Sequence, residues 1–425
     1  MKVRSNAVFI ISIIIAVAVI LYGYFFSENL VVASGAIMTW VSTNFGWLYI
    51  AFVFFLCIFL TWLAFSKYGK VKLGKDNEEP EYSDFSWYAM LFCGGTGIGL
   101  VFWSIAEPLS HYANPPEGVT AGTVEAANFS IRTCFLHWGV TQWMCFAIVG
   151  LGIAYFMFRK GKNAQISNLI SPLVGEELTN GWLGKAVDTF SVVVSFAGVA
   201  TSLGLGVSQI CSGLNYLFKV PDNSNTWLII IAVITCIFLA SAISGVDRGI
   251  RILSNINTYI AFTLLALAFI VGPKSSMFNT LLNGLGQHIQ NFVGDGLMIS
   301  SFGDNSWITN WRVFYYAWFI AWTPFVGMFI ARISKGRTIR EFIFGVVLIP
   351  TAFTIIWLSV FGTIAFSTTG DWSLEAVRDL IASPQTAVFI VFSEYPFSKV
   401  ISILIIYSSA NILDLHFDTS TLKTA

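Results

Sequence analysis

Charged residues are scarce in this chain of 425 residues, where they make up 11 % of the total, against about 25 % in soluble globular proteins. The 23 Lys and Arg only balance the 23 Asp and Glu, so no basic excess is available to follow phosphates. These shortages exclude a water-soluble protein and argue against a nucleic-acid-binding protein. Hydrophobic residues reach 56 % and aromatic residues 16 %, a composition typical of a chain that contacts membrane lipid.

Histidine and paired cysteine are scarce as well. Only four His are present, and the six Cys lie inside apolar runs without CxxC spacing. We expect these cysteines to be small buried hydrophobic residues rather than disulfides or metal ligands. The sequence therefore predicts neither a metal site nor a resident cofactor.

Apolar stretches long enough to cross a bilayer recur along the chain, since roughly 20 apolar residues span the hydrocarbon core as a helix. Ten such stretches lie near 7–26, 45–66, 86–106, 132–157, 188–216, 226–245, 254–273, 311–331, 342–366 and 386–409. The sequence thus predicts an all-α integral membrane protein of about ten spans.

Basic residues predict its orientation, because loops rich in Lys and Arg stay in the cytoplasm. Basic clusters alternate with basic-poor loops such as 27–44 and 106–130, which favours a multi-pass protein of the cell membrane with a cytoplasmic N-terminus. The stretch 274–310 is too polar to span, and its apolar spacing predicts a helix lying in the membrane interface.

Two spans have unusual chemistry for a membrane helix. The third carries four glycines between Gly94 and Gly99, and the eighth carries Pro324 with Gly327 three residues later. The predicted topology gives these spans opposite directions, a pattern typical of inverted repeats in secondary transporters. We therefore divide the chain into two N-terminal spans with a loop, a first five-helix repeat, the interfacial helix and an incomplete second repeat, at 1–84, 85–273, 274–310 and 311–425.

The glycines of the third span also indicate a binding role. Each Gly costs about 1 kcal/mol relative to Ala in a helix, and non-helical backbone in a membrane persists only where it lines protein or a water-filled cavity. We expect unwound backbone here, able to hold a carboxylate or a cation. Close packing of helices through small residues is the alternative.

Aromatic residues are concentrated on the fourth and eighth spans. On one continuous helix, Trp138, Trp143 and Phe146 would share an arc of roughly 140°. The eighth span carries Tyr316, Trp318, Phe319 and Trp322. A box of such rings suits a quaternary ammonium group, which forms cation–π contacts but has no N–H to donate in a hydrogen bond. For any single ring, lipid contact or packing is the commoner role.

Several strings resemble one known family. GTGIGLVFWSIAEPLSHYANPP (95–116), LHWGVTQW (136–143), SLGLGVSQI (202–210) and AWTPFVGMFIARISKGRTIREF (321–342) closely resemble the betaine/carnitine/choline transporter (BCCT) family. The resemblance implies a LeuT-type fold with two inverted five-helix repeats within twelve spans, and often a homotrimer. It also implies uptake of trimethylammonium compounds, commonly driven by sodium.

The resemblance assigns substrate binding to aromatic rings of two spans and to the glycine segment. These positions are Trp138, Trp143, Phe146, Tyr316, Trp318, Phe319, Trp322, Gly95, Thr96, Gly97 and Gly99. It further implies a gating role for Arg332, for which the positive-inside rule alone is a sufficient explanation.

Departures from the family pattern bear on the coupling ion and the substrate. Sodium-coupled relatives place two hydroxyls one turn apart in the fifth span, whereas this chain has Ser195 followed by Val199. A sodium site using Ser195 and Thr96 would therefore be weakened, and proton-driven transport or exchange stays open. Choline would favour an acid near the cage, yet Glu107 is expected at the outer end of its span. Glycine betaine or carnitine therefore fits better than choline.

The C-terminal segment departs furthest from the family. Resemblance fades near Leu404, and the sequence turns polar after about Ile412. The second repeat would then hold three helices of five, and we expect such a truncated chain to fold poorly or transport weakly.

Two other classes of protein are disfavoured. A membrane-embedded enzyme needs clustered acids, histidines or a nucleophile at depth, but Asp188, Glu107 and His137 are expected near span ends without partners around them. A channel or membrane sensor explains the spans but not two oppositely directed, glycine- or proline-bearing helices with aromatic faces.

Overall fold

The chain folds into helices joined by short connections. The computed structural model describes residues 2–244 and 246–420, without the side chains of 2–6, 92–97, 238, 240–254 and 412–420. Within these ranges it contains fifteen α-helices and no β-strand. They are α1 Lys2–Phe25, α2 Ser27–Phe65, α3 Asp84–Ala113, α4 Val124–Trp138, α5 Val140–Ala154, α6 Ser171–Asn180, α7 Trp182–Phe218, α8 Ser224–Ser244, α9 Val246–Val271, α10 Lys274–Gly296, α11 Phe314–Ile333, α12 Ile339–Thr369, α13 Leu374–Ile381, α14 Pro384–Ser393 and α15 Ser398–Ser420.

Six of the described helical stretches are long and apolar enough to cross a bilayer. A seventh is obtained if Asn255–Val271 and Lys274–Gly296 are counted as one span that is bent by 115° at the break between them. The prediction of an all-helical membrane protein is confirmed at this level. The number of ten spans and the inverted repeats stay predictions, as does the interfacial position of α10.

The outer faces of the long helices are apolar. Phe9 and Ile14 on α1, and Trp47 and Phe55 on α2, are each more than half exposed. Exposed rings and branched chains in such number are unfavourable in water. They are the side chains that a helix presents to hydrocarbon.

The glycine-rich third helix is not unwound. Helix α3 runs from Asp84 to Ala113 as one element, and α11 likewise continues through Pro324. The expectation of non-helical backbone at Gly94–Gly99 is therefore wrong for this conformation. Each glycine costs about 1 kcal/mol in a helix, which is less than the several kcal/mol lost for each backbone group left unpaired in a membrane.

A break does occur in the fourth span, where we expected a continuous helix. Gly139 has φ −97° and ψ −130° and separates α4 from α5. A Cβ at this position would lie 2.3 Å from the carbonyl oxygen of Phe135, so the kinked backbone requires glycine. The arc calculated for Trp138, Trp143 and Phe146 on one helix does not apply, because these rings belong to two helices.

The last predicted span, 386–409, is also divided. Helix α14 ends at Ser393 and α15 begins at Ser398. Between them lies Pro396, which has no backbone N–H to continue a helix, and Phe397 has a positive φ of 63°. Apolar composition predicted the length of this segment but not its turn.

The loops 66–83 and 334–338, which we name the basic-end loops, are joined to each other by backbone contacts. The backbone N–H of Leu73 donates to the carbonyl of Arg337 at 2.8 Å, and the N–H of Gly336 donates to the carbonyl of Leu73 at 2.9 Å. Lys72 and Thr338 form an antiparallel bridge. These hydrogen bonds join the connection between α2 and α3 to the connection between α11 and α12.

Arg337 is the central side chain of the basic-end loops. It is only 4 % exposed, and its guanidinium lies 3.9 Å above the ring of Trp87. It donates to the Asp84 carboxylate at 2.7 Å and to the Tyr82 carbonyl at 2.9 Å. These contacts hold the first turn of α3 against the start of α12.

Replacing Arg337 with Ala should lower the free energy of unfolding by about 1–3 kcal/mol, because a buried cation loses charge-assisted hydrogen bonds and a ring contact. The measurement is thermal unfolding of the purified protein in detergent. Lys335→Ala is the control. Its ion pair with Glu78 is 39 % and 26 % exposed on the two side chains, so that change should stay below about 1 kcal/mol. Equal effects of the two variants would contradict the assignment.

Candidate functional site

Aromatic rings from three helices meet in the interior of the bundle. Tyr315, Trp318 and Phe319 lie on α11, Trp138 ends α4, and Phe146 lies on α5. The ring of Trp138 is 5.4 Å from Tyr315, 6.1 Å from Trp318 and 6.0 Å from Phe319, between centroids. Phe146 lies 6.2 Å from Phe319. We name these five rings the aromatic cluster.

The rings of the aromatic cluster touch one another. Centroid separations of 5.4 to 6.2 Å are those of aromatic side chains in direct contact. The Trp138 and Trp318 rings are nearly perpendicular, in an edge-to-face contact with an interplanar angle of 88°. The five rings therefore pack against one another in this structure.

The structure brings together four of the seven rings singled out in the sequence, and two more adjoin them. Trp138, Phe146, Trp318 and Phe319 are in the cluster itself. Trp143 contacts it through Phe146 at 5.7 Å. Trp322 lies one turn beyond Trp318 and packs on Phe325 at 6.0 Å.

Tyr316 points elsewhere, and its neighbour Tyr315 takes the place in the cluster. The ring of Tyr315 stacks on Trp318 at 5.9 Å and on Phe319 at 5.6 Å. The hydroxyl of Tyr316 pairs with Thr141 instead. Positions 315, 318, 319 and 322 follow the i, i+3, i+4, i+7 spacing of one helix face, a signal in the sequence that could have identified Tyr315.

Two glycines allow these indoles to pack against helix backbones. A Cβ on Gly99 of α3 would lie 2.5 Å from the Trp138 ring and 3.0 Å from the Trp318 ring. A Cβ on Gly198 of α7 would lie 2.2 Å from the Trp322 ring. Gly99 was predicted to lie in the binding site, and in the structure its missing side chain leaves space for two indoles. Gly95, Thr96 and Gly97 lie where side chains are not described.

A buried carboxylate holds one side of the aromatic cluster. Glu107 of α3 accepts a hydrogen bond from the indole N–H of Trp138 at 2.6 Å and from the Tyr315 hydroxyl at 2.7 Å. Its other oxygen contacts Nδ1 of His137 at 2.8 Å and Nε2 of His111 at 3.3 Å. All five side chains are at most 2 % exposed.

The group of side chains around Glu107 corrects two expectations from the sequence. Glu107 and His137 were expected near span ends without partners, but both are fully buried and directly paired. The sequence missed them because His137 is separated from Glu107 by 30 residues and only the packing of α4 on α3 brings them together. One local signal existed, since Glu107 and His111 are spaced i, i+4 on one helix face.

Glu107, His111 and His137 also form a group able to surround a metal ion, with their ligand atoms within 4.8 Å of one another. The scarcity of histidine in the sequence predicted no such group. Both oxygens of Glu107 are already engaged, one by two imidazoles and the other by Trp138 and Tyr315. The carboxylate is therefore fully engaged, whereas Nδ1 of His111 and Nε2 of His137 have no hydrogen-bond partner among the described residues.

The remaining predicted site residues lie outside the aromatic cluster. Ser195 is half-buried on α7, one turn from Gly198, which contacts Trp322. Asp188, on the same helix, accepts hydrogen bonds from the backbone N–H and the hydroxyl of Ser167, both at 2.9 Å. Arg332 is half-buried in the last turn of α11. It precedes the more deeply buried Arg337 of the basic-end loops.

The fold and the site define a polytopic helical membrane protein with a buried aromatic site between its helices. A family model described as "BCCT, betaine/carnitine/choline family transporter" matches residues 7–423. The chain belongs to this family of transporters. The match continues past Leu404, where the resemblance was expected to fade.

Relatives of the chain are named as transporters. A probable glycine betaine transporter of Desulfitobacterium hafniense (strain Y51) is 44 % identical over 92 % of this chain and 78 % of its own length. The glycine betaine transporter OpuD of Bacillus subtilis (strain 168) is 42 % identical over 94 % and 78 %. An ectoine/hydroxyectoine transporter of Virgibacillus pantothenticus is 39 % identical over 98 % and 83 %.

Gly198→Ala tests the close approach of α7 to Trp322. The added methyl group would lie 2.2 Å from the indole, so we expect a loss of about 1–3 kcal/mol in the free energy of unfolding from overpacking. Gly204→Ala on the same helix is the matched control, because nothing lies within 4 Å of its added Cβ. That variant should gain up to about 1 kcal/mol of helix propensity. Thermal unfolding in detergent measures both, and a stable Gly198→Ala variant would disprove the contact.

Proposed function

We propose that this chain is a secondary active transporter that carries glycine betaine across the cell membrane. The aromatic cluster is the observation that supports the proposal. Its rings offer the π-faces that a trimethylammonium head group needs, since such a group has no N–H with which to donate a hydrogen bond. The names of the two glycine betaine relatives support the same substrate.

Binding would separate rings that now contact one another, and each separated ring would contact the ligand instead. In this structure Trp138, Trp318 and Phe319 stabilise one another. A cation placed over such a ring gains about 0.5–2 kcal/mol per well-oriented face, enough to compensate for the separated pairs. Substrate affinity is thereby linked to the position of α11 relative to α4 and α5.

Transport then requires that the site open to each side of the membrane in turn. The positive-inside rule places the basic-end loops in the cytoplasm, with the N-terminus on the same side. Release inward would break the contacts of Arg337 with Asp84 and Trp87. Arg332, one loop away, would contribute to the same gate.

The finer architecture is part of this proposal. We infer about ten spans in a LeuT-type arrangement, with inverted repeats that begin at α3 and α11 and rock against each other. Assembly into a homotrimer is the family's common form and is proposed here on that basis. Membrane lipid would cover the apolar outer faces of α1 and α2.

Replacing Trp318 or Trp322 with Leu should raise the KM for glycine betaine about 3- to 30-fold, the equivalent of one lost cation–π face. Uptake of labelled glycine betaine into liposomes containing the purified protein is the measurement. Trp47→Leu is the control, since this indole is 57 % exposed on α2 and should leave the KM unchanged.

The same assay separates a transporter from a channel. Uptake by a transporter saturates and is inhibited by unlabelled competitor, whereas flux through a channel rises with concentration. Unchanged KM values in both tryptophan variants would exclude the aromatic cluster and the adjoining Trp322 as the substrate site.

Sodium is proposed as the coupling ion, held in part by Ser195 and Thr96. Val199 occupies the place of a second hydroxyl, and sodium requires about six oxygen ligands. We expect only a weak sodium dependence of uptake in the native chain and a clear increase in Val199→Ser. The comparison is uptake in sodium against potassium buffers at constant pH. A Val199→Ser variant as insensitive to sodium as the native chain would favour proton coupling or exchange.

A further inference from the structure

An open groove lies between α3 and α12, where both helices begin. Its volume is about 310 Å³, at the lower end of the range of small-molecule sites, about 300–1,000 Å³. Its lining includes Asp84, Tyr88, Arg337, Glu341, Leu348 and Ile349. Among the described residues it shares none with the aromatic cluster, so it is a separate feature, which we name the α3–α12 groove.

The α3–α12 groove changes from charged to apolar along the helix axes. Asp84 lies in the first turn of α3 and Glu341 in the first turn of α12. Leu348 and Ile349 are exposed two turns further along α12, a distance of roughly 11 Å. In a bilayer a step of this size leads from the polar head-group layer into the hydrocarbon. The groove therefore fits an amphiphilic ligand with a polar head and an apolar tail.

The charged end of the groove carries more negative than positive charge. The carboxylates of Asp84 and Glu341 line it together with one guanidinium, that of Arg337. Asp84 is 74 % exposed in its ion pair with Arg337. Glu341 uses Oε2 to accept from the N–H and the hydroxyl of Thr338, at 2.8 and 2.9 Å, so among the described residues Oε1 is left to accept from a ligand. This end favours a head group with a hydrogen-bonding cation.

The other cations of the basic-end loops and the start of α12 do not reverse this balance. Neither Lys335 nor Arg340 lines the groove. Lys335 forms an ion pair with Glu78 at 2.9 Å, and Arg340 donates to the carbonyl of Ala64 at 2.8 Å. The groove thus differs in charge from the basic loops beside it, and a purely anionic head group would find only Arg337 as a lining cation.

We propose that the α3–α12 groove binds a membrane phospholipid with a primary-ammonium head group, such as phosphatidylethanolamine. The ammonium has three N–H donors, like that of Lys, for the carboxylates of Asp84 and Glu341. The phosphodiester lies beside Arg337, and the first part of an acyl chain lies along Leu348 and Ile349. The trimethylammonium of phosphatidylcholine has no N–H, and phosphatidylglycerol has no cation, so both bind less well. This inference goes beyond the proposed function and does not depend on the transported substrate.

Glu341→Gln tests the charged end. Gln at the third helical position can still complete a capping box, so the variant removes the charge and keeps the start of α12. Native mass spectrometry of the purified, delipidated full chain measures the binding of phosphatidylethanolamine, phosphatidylcholine and phosphatidylglycerol with identical acyl chains. The native chain should bind phosphatidylethanolamine about two- to fivefold better than either other lipid, and Glu341→Gln should abolish most of that preference.

Glu375→Gln is the matched control for the charge. Glu375 is an exposed acid in the first turn of α13 and does not line the groove, so this variant should keep the native preference. Equal binding of the three lipids by the native chain, or a preference for phosphatidylglycerol, would overturn the proposal. A native preference that Glu341→Gln leaves intact would overturn it as well.

Ile349→Trp tests the apolar end by placing a larger side chain in the groove. It should weaken phosphatidylethanolamine binding at least about threefold, the equivalent of keeping one methylene group out of the groove. Ile356→Trp is the matched control, because Ile356 is equally exposed on α12 but lies outside the groove. The same effect from both tryptophan variants would show that the lipid lies elsewhere on the surface.

Discussion

The contact between α11 and the broken pair α4 and α5 is the constraint on which the rest of the site depends. Three aromatic side chains of α11 pack on Trp138 and Phe146, and no layer of small aliphatic side chains separates them. Gly139 interrupts the helix between those two rings, so Trp138 and Phe146 reach α11 from two helices of different direction.

Large rings can occupy the interior only where the opposing backbone leaves room. Gly99 and Gly198 provide that room on α3 and α7, facing Trp138, Trp318 and Trp322. Gly99 of α3 therefore contributes through the side chain it lacks, within a continuous helix.

Particular residues show how far the sequence could be interpreted. Trp138, Phe146, Trp318 and Phe319 were found from aromatic residues concentrated on two apolar stretches, and the structure brings them together. Tyr315 was missed in favour of Tyr316, because a position on a helix face cannot be chosen until the orientation of the helix is known. Glu107 and His137 were missed because their pairing is made between helices, where spacing along the chain carries no information.

The sequence by itself determined the environment and the class of this protein. Low charge, long apolar stretches and family-specific strings are properties of composition and order, and they require no knowledge of how the helices pack. Tertiary structure alone decided where helices break, which face of α11 turns inward, and that a carboxylate lies beside the aromatic cluster. Those outcomes depend on contacts between distant segments: whether a buried acid is stable at Glu107 is determined by the donors that α4 and α11 place around it.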